Sequence, residues 1–169
     1  CGDDLNLLKN ELAKICAYAK GEEVTLQDIE KLATQNLETK IFALSDAVLN
    51  GNGDKAFNTL DLLFYQREEP VMMLYVLSAS YVDAYRIRVA DECGVLKDDV
   101  AKDFEYKNRA FTLEKARKAT AKVSTEALRK SLDLLVEADI KFKNSSVNAR
   151  LCMEQLIAQL LLVAREGRI

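Results

Sequence analysis

Hydrophobic residues recur along most of this chain with the period of an amphipathic helix, in blocks separated by polar or glycine-containing breaks. The first block, residues 4–20, sets Leu5, Leu8, Leu12, Ile15 and Cys16 on one stripe. Asp3 or Asp4 can cap its start, and Gly21 stops it. Thr25-Leu26-Gln27-Asp28 then offers a capping residue with an acid three positions on. It predicts a short second helix over about 26–34, with Leu26, Ile29 and Leu32 or Ala33 on one side. A third block runs from Ile41, led in by 37–40, and closes at Asn50-Gly51. Asn52-Gly53-Asp54 reads as a turn in which Asp54 caps a fourth helix striped by Ala56, Phe57, Leu60, Leu63 and Phe64. So short a connection predicts an antiparallel helical hairpin.

Pro70 is the only proline, and it precedes the longest uninterrupted apolar-periodic segment, the place where proline is tolerated in a first helical turn. From Val71 to about Cys93 this segment carries Leu74, Val76, Leu77, Tyr81, Val82, Tyr85, Ile87 and Val89 on more than one face, before Gly94. A helix apolar on most sides belongs at the centre of a bundle. Its Met72-Met73 pair and Tyr75, Tyr81 and Tyr85 read as core filler, with phenol tips reaching the surface, rather than as a ligand box. Residues 95–123 are the least apolar and predict a short helix over about 96–104 and a longer one over 108–122 with Phe111 inward. Ser124 caps the next helix, striped by Ala127, Leu128, Leu132, Leu135, Val136 and Ile140, and Asn144-Ser145-Ser146 breaks it. The final helix, about 148–165, carries Leu151, Cys152, Leu156, Ile157, Leu160, Leu161, Leu162 and Val163, so its last turns are apolar nearly all round. Such a helix lies deep in the bundle or is shared with a partner.

Composition narrows the class. The chain has 169 residues, six glycines, one proline and no histidine or tryptophan, with 49% hydrophobic residues. That supply of turn formers is too small for an all-β sandwich, and the length suits a fold that buries roughly two thirds of its unfolded surface. The glycines at 2, 21, 51, 53, 94 and 167 build neither a dinucleotide-binding fingerprint nor a phosphate loop. Without histidine the commonest general base and metal ligand are both missing. Cys1, Cys16, Cys93 and Cys152 are dispersed with no paired spacing, which argues against zinc and for reduced cysteines in a cytoplasmic setting. No cofactor is expected. Carboxylates such as Glu68-Glu69 and Asp98-Asp99 sit in solvated patterns with no nucleophile partner, and Asp46 reads as a cap or ion-pair partner. No apolar run spans a bilayer. The opening Cys1-Gly2-Asp3-Asp4 reads as the interior of a longer protein.

A short helix, a turn and a longer basic helix are also the outline of a helix-turn-helix DNA-binding module, which residues 97–122 could form. That stretch holds eight Lys or Arg against five Asp or Glu, while the whole chain carries a net charge of −3. Alternating signs along a helix describe a solvated, salt-bridged face better than a phosphate-binding one, so direct nucleic-acid binding is not expected. The residues alone describe an all-α, non-catalytic helical scaffold.

Several stretches, in order, resemble the C-terminal half of the bacterial DNA polymerase III delta subunit family of clamp-loader proteins. Asp4 to Ile15 is similar to that family's "DLxxLxNELEKL" helix, and Ile41 to Asn52 resembles "IFxLxDAIxxGN". Glu69-Pro70-Val71 stands at the "EEP" or "GEP" before the long helix, and Ala149-Arg150-Leu151 at the "PRL" that opens the last one. Ala149 replaces the usual proline there, and the basic region around 105–109 fits the family poorly.

The resemblance implies an all-α fold, a collar-like bundle of about seven to eight helices over residues 40–169 preceded by two helices in residues 1–39 that close the helical lid of an AAA+ module. The collar would hold the loader pentamer together by packing against the gamma/tau and delta-prime subunits, without catalysis, in a complex whose parent activity is DNA synthesis. The sliding clamp would be reached only through a preceding AAA+ region. Leu156, Leu160 and Val163 of the terminal helix are the candidate residues for the interface between subunits. The alternatives are the helix-turn-helix module and an unrelated helical accessory domain.

Overall fold

A computed structural model describes residues 5–21, 23–26, 28–29, 37–144 and 148–168. Among them every regular element is helical, and the chain divides into two compact units, Cys1–Lys40 and Ile41–Ile169. In the first unit, α1 (Leu5–Ala19) buries Ile15 and ends where Lys20 and Gly21 take positive φ. The expected cap at Thr25 is formed. Its backbone N–H donates to Asp28 Oδ2 at 3.0 Å, and Asp28 N–H donates back to Thr25 Oγ1 at 3.2 Å. The remaining expectations for this stretch, Asp3, Asp4, Gln27, Leu32 and Ala33, lie outside the described residues, as do Ser145 and Ser146.

The second unit is built from α2 (Leu37–Leu49), which it enters at Ile41, then α3 (Gly53–Tyr65), α4 (Pro70–Glu92) and α5 (Lys97–Asp103). A 3₁₀ turn at Lys107–Arg109 leads to α6 (Ala110–Thr120), α7 (Thr125–Asn144) and α8 (Ala149–Glu166). The ends of these helices follow from backbone chemistry. At the end of α2, Asn52 N–H donates to Ala47 O and Gly51 N–H to Val48 O, both at 2.8 Å, with Gly51 at φ +65°. This left-handed closure satisfies two carbonyls that a helix end leaves open. It hands the capping of α3 to Asn52, whose side chain accepts from Lys55 N–H at 3.0 Å. Asp54, expected as the cap, instead lies in the first turn, where its charge favours the helix N-terminus. The same closure ends α3 and α5 with Arg67 and Glu105 at positive φ, residue types that give no hint of it.

Helix α4 is central, as its apolar residues on several faces predict. It packs against α5, α6, α7 and α8, while α8 packs against α3 and α7. Leu77, Tyr81 and Ile87 of α4 meet a core that also includes Leu60, Leu113, Leu128, Met153 and Ile157. Each such side chain stabilises the fold by about 1.5–3 kcal/mol when fully buried. Met73 is core filler as expected, whereas Met72 and Tyr75 face solvent. Tyr81 departs from the expectation. Its ring is fully enclosed, so the hydroxyl never reaches the surface and finds no hydrogen-bond partner among the described residues. At the opposite end of the bundle from the α3–α4 turn, Ser124 N–H donates to Gly167 O at 2.9 Å beside a Val123–Arg168 bridge. A Cβ on Gly167 would stand 2.2 Å from Ala127 Cβ, so only glycine permits this approach.

Candidate interaction site

The expected interface residues fall on α8, and the structure divides them. Leu156 is 2% exposed and Leu160 0%, both enclosed by the chain's own helices, and Val163 is half-buried. The inward stripe of Leu156, Ile157, Leu160 and Leu161 is therefore the bundle core. The apolar residues that this helix leaves open are Leu151 and Leu162. A helix that is apolar nearly all round shows by sequence that two faces are available, but not which one the chain itself covers.

Helix α8 is placed by its first turn. Asn148 Oδ1 accepts from Arg150 N–H at 3.0 Å and Leu151 N–H at 3.3 Å, the arrangement of an N-cap. Arg150 Nε donates to Glu154 at 2.8 Å, its second nitrogen pairs with Asp61 of α3, and its guanidinium lies 5.3 Å from the Phe64 ring centroid. These contacts hold its guanidinium pKa above the ordinary arginine value, chiefly through the Glu154 hydrogen bond. They also bring the start of α8 to the end of α3, which a four-residue turn joins to the start of α4. One end of the bundle thus exposes Leu62, Tyr65, Val71, Met72, Tyr75 and Leu151, with Tyr65 86% and Tyr75 69% accessible. Concentrated exposed apolar residues mark a place of association rather than scattered surface.

The basic segment takes a different form. Lys97 pairs with Glu114 at 3.5 Å, and Arg117 forms a two-point contact with Asp91 of α4, which raises the guanidinium pKa of Arg117. Thr112, Leu113 and Thr120 turn inward. Helix α6 is bound into the bundle, and part of its charge is neutralised there. Tyr106, in the link from α5, donates to buried Asp83 and accepts from Arg86 at 3.1 Å, and Arg86 stacks 4.0 Å from the Phe104 centroid. Asp46, expected as a cap or ion-pair partner, instead accepts from Asn50 Nδ2 at 3.0 Å near the end of α2, and has no ion pair among the described residues. Among the described residues no group of three His, Cys, Asp or Glu could hold a metal ion, and no helix is long and apolar enough to cross a membrane.

A family model for the DNA polymerase III delta subunit, C-terminal domain, matches residues 38–160, which is most of the chain. The chain belongs to this family. The DNA polymerase III subunit delta of Bacillus subtilis is 25% identical over 158 residues, which cover 93% of this chain and 45% of that protein. The solved structure of the Bacillus subtilis DNA clamp loader delta protein superposes with a TM-score of 0.78 at 24% identity, over 94% of this chain and 46% of that one. The chain therefore spans about half the length of these relatives, and the likeness confirms the all-α fold. As a member of the delta family, the chain is matched from the second residue of α2 to Leu160. The match covers α3 to α7 whole, including the exposed end formed by α3, α4 and the start of α8.

Proposed function

We propose that this chain is the non-catalytic C-terminal part of a clamp-loader delta subunit and that its bundle holds the loader together while the sliding clamp is loaded in the cytoplasm. Residues 1–39 would close an AAA+ lid, and 40–169 would form the collar that packs against gamma/tau and delta-prime. The clamp itself would be contacted by the part of a delta subunit that precedes the matched region. The observation that carries this reading is the exposed apolar end of the bundle. Tyr65, Met72 and Tyr75 are of the residue types enriched at interfaces, Val71 and Leu151 extend their apolar area, and all stand at the end of the bundle that carries the polar side chains of Asp61, Arg150 and Glu154. Burial of that surface favours association at roughly 25 cal/mol per Å², offset by the lost freedom of the partners.

The test uses a full-length delta subunit that includes this region, reconstituted with gamma/tau and delta-prime and followed by size-exclusion chromatography. Tyr75→Asp combined with Leu151→Asp should release the delta subunit from the pentamer peak while its helical circular dichroism is unchanged. Retention of the doubly substituted protein in the complex would move the interface elsewhere. Failure of the unsubstituted protein to assemble would sink the collar reading itself.

A further inference from the structure

A second surface lies where α2, α4 and α6 meet, further along α4 than the residues of the apolar end. Its floor consists of small side chains, Ser45, Ser80, Ala84, Ala116 and Ala119, where helices of this kind ordinarily interdigitate larger ones. They leave a cleft of about 280 Å³, enough for a large apolar side chain. Ser45 and Ser80 are both buried, and Ser80 donates to Ser45 at 3.0 Å. One hydroxyl proton of that pair has no acceptor among the described residues, and a buried donor without an acceptor is costly.

The mouth of the cleft is cationic although the chain as a whole is acidic. On α6, Glu114 is paired with Lys97 and Arg117 with Asp91, whereas Lys115 and Lys118 have no carboxylate partner among the described residues. Lys115 lies 5.6 Å from the Phe42 ring centroid and 5.2 Å from that of Phe111, so it bridges two aromatic rims of the opening. Asp46 on the facing wall accepts from the neutral amide of Asn50 and keeps its charge, so the two lysines outnumber the one carboxylate of the lining.

We infer that this groove docks an acidic segment of a partner protein, which inserts one apolar side chain over the serine pair and sets its carboxylates against Lys115 and Lys118. A backbone carbonyl of that segment accepts the free hydroxyl proton. Charge complementarity and the apolar cleft select this occupant together. A nucleic-acid backbone or a simple anion would satisfy the lysines and leave the cleft open.

The test titrates the ¹⁵N-labelled chain with the synthetic peptide acetyl-Asp-Leu-Phe-Glu-amide. Saturable amide shifts are expected at Ser45, Ala84 and Ala119. Lys115→Glu with Lys118→Glu, both exposed, should weaken binding by about tenfold, and Ala119→Met should abolish it by filling the cleft. Thermal melts confirm that each variant is folded. Absence of a saturable shift, or shifts outside the groove, overturns the proposal. So does equal binding of a peptide with alanine for both apolar residues, which would be an anion site only. Tighter binding of a single-stranded oligonucleotide with the same shifts would assign the groove to nucleic acid instead.

Discussion

The Tyr106 hydroxyl donates to the buried carboxylate of Asp83, and through that bond the segment linking α5 to α6 is fastened to the central helix. Arg86, one turn along α4, donates to the same hydroxyl at 3.1 Å and stacks on Phe104. Ile87, Ala90, Val100 and Leu113 form the apolar cluster beneath, with Tyr106 packed against it.

Tyr106→Phe keeps the ring in that cluster and removes the donor, leaving a buried carboxylate unmatched. A loss of about 1–3 kcal/mol of unfolding free energy is expected in urea denaturation at neutral pH. Adding Asp83→Asn should recover part of it, since a neutral acceptor is cheaper to leave unpaired than a charged one. Additive losses in the double variant would show that the two side chains are not coupled.

Tyr81 presents the opposite case, a buried hydroxyl with no partner among the described residues. Tyr81→Phe removes an unmatched polar atom without removing the ring and should stabilise the fold by about 1 kcal/mol. Burial pushes the Tyr81 phenol pKa well above its ordinary value. The sign follows. Below about pH 10 both folded and unfolded chains hold the proton and the contribution is constant. Above it the unfolded chain releases the proton first, so stability falls by up to about 1.4 kcal/mol per pH unit. The phenol of Tyr106 is raised in the same direction, chiefly by burial and then by Asp83. Urea midpoints measured from pH 8 to 11 should fall less steeply in Tyr81→Phe than in the parent chain. Parallel curves would show that the ring is not sealed.

The helices and their order were legible because each apolar stripe ends at a marker with a local mechanism. Pro70 opens α4, Gly94 follows its end, and Ser124 caps α7 by accepting from Ala127 N–H at 3.2 Å. Arg67 and Glu105 were illegible as left-handed closures because the hydrogen bonds of the turn, not the residue type, impose the conformation. Asn52 and Asp54 are both good caps two residues apart, and the closure at Gly51 decides between them. The inward placement of Leu156 and Leu160 and the cleft over Ser45 and Ser80 were illegible for a shared reason. Each depends on what a different helix places opposite, which periodicity along one helix does not encode.

Ala149 stands where the family resemblance expects proline, and the backbone there is ready for one. It is the first residue of α8, and Asn148 accepts from the amides of Arg150 and Leu151 rather than from that of Ala149. Asn148 itself is extended at φ −62° and ψ 106°, as a residue before proline must be. Ala149→Pro should therefore stabilise the chain by about 0.4–1 kcal/mol, through a less disordered unfolded state. A lower melting temperature would show that the Ala149 amide is engaged.

Association and folding can be separated on α8 itself. Leu160 is enclosed by the bundle and Leu162, two residues on, faces solvent. Leu160→Asp removes core volume, where truncation of a leucine costs about 2–5 kcal/mol, and adds the larger penalty of an unpaired buried charge. That total approaches the whole stability of a domain of this size, so the variant should lose its cooperative thermal transition. Leu162→Asp alters a side chain that is 56% exposed and should melt within a few degrees of the parent. Differential scanning calorimetry of the two variants checks both outcomes. A folded Leu160→Asp chain would mean that α8 turns another face to the core, and the surface assigned to association would then have to be redrawn around it.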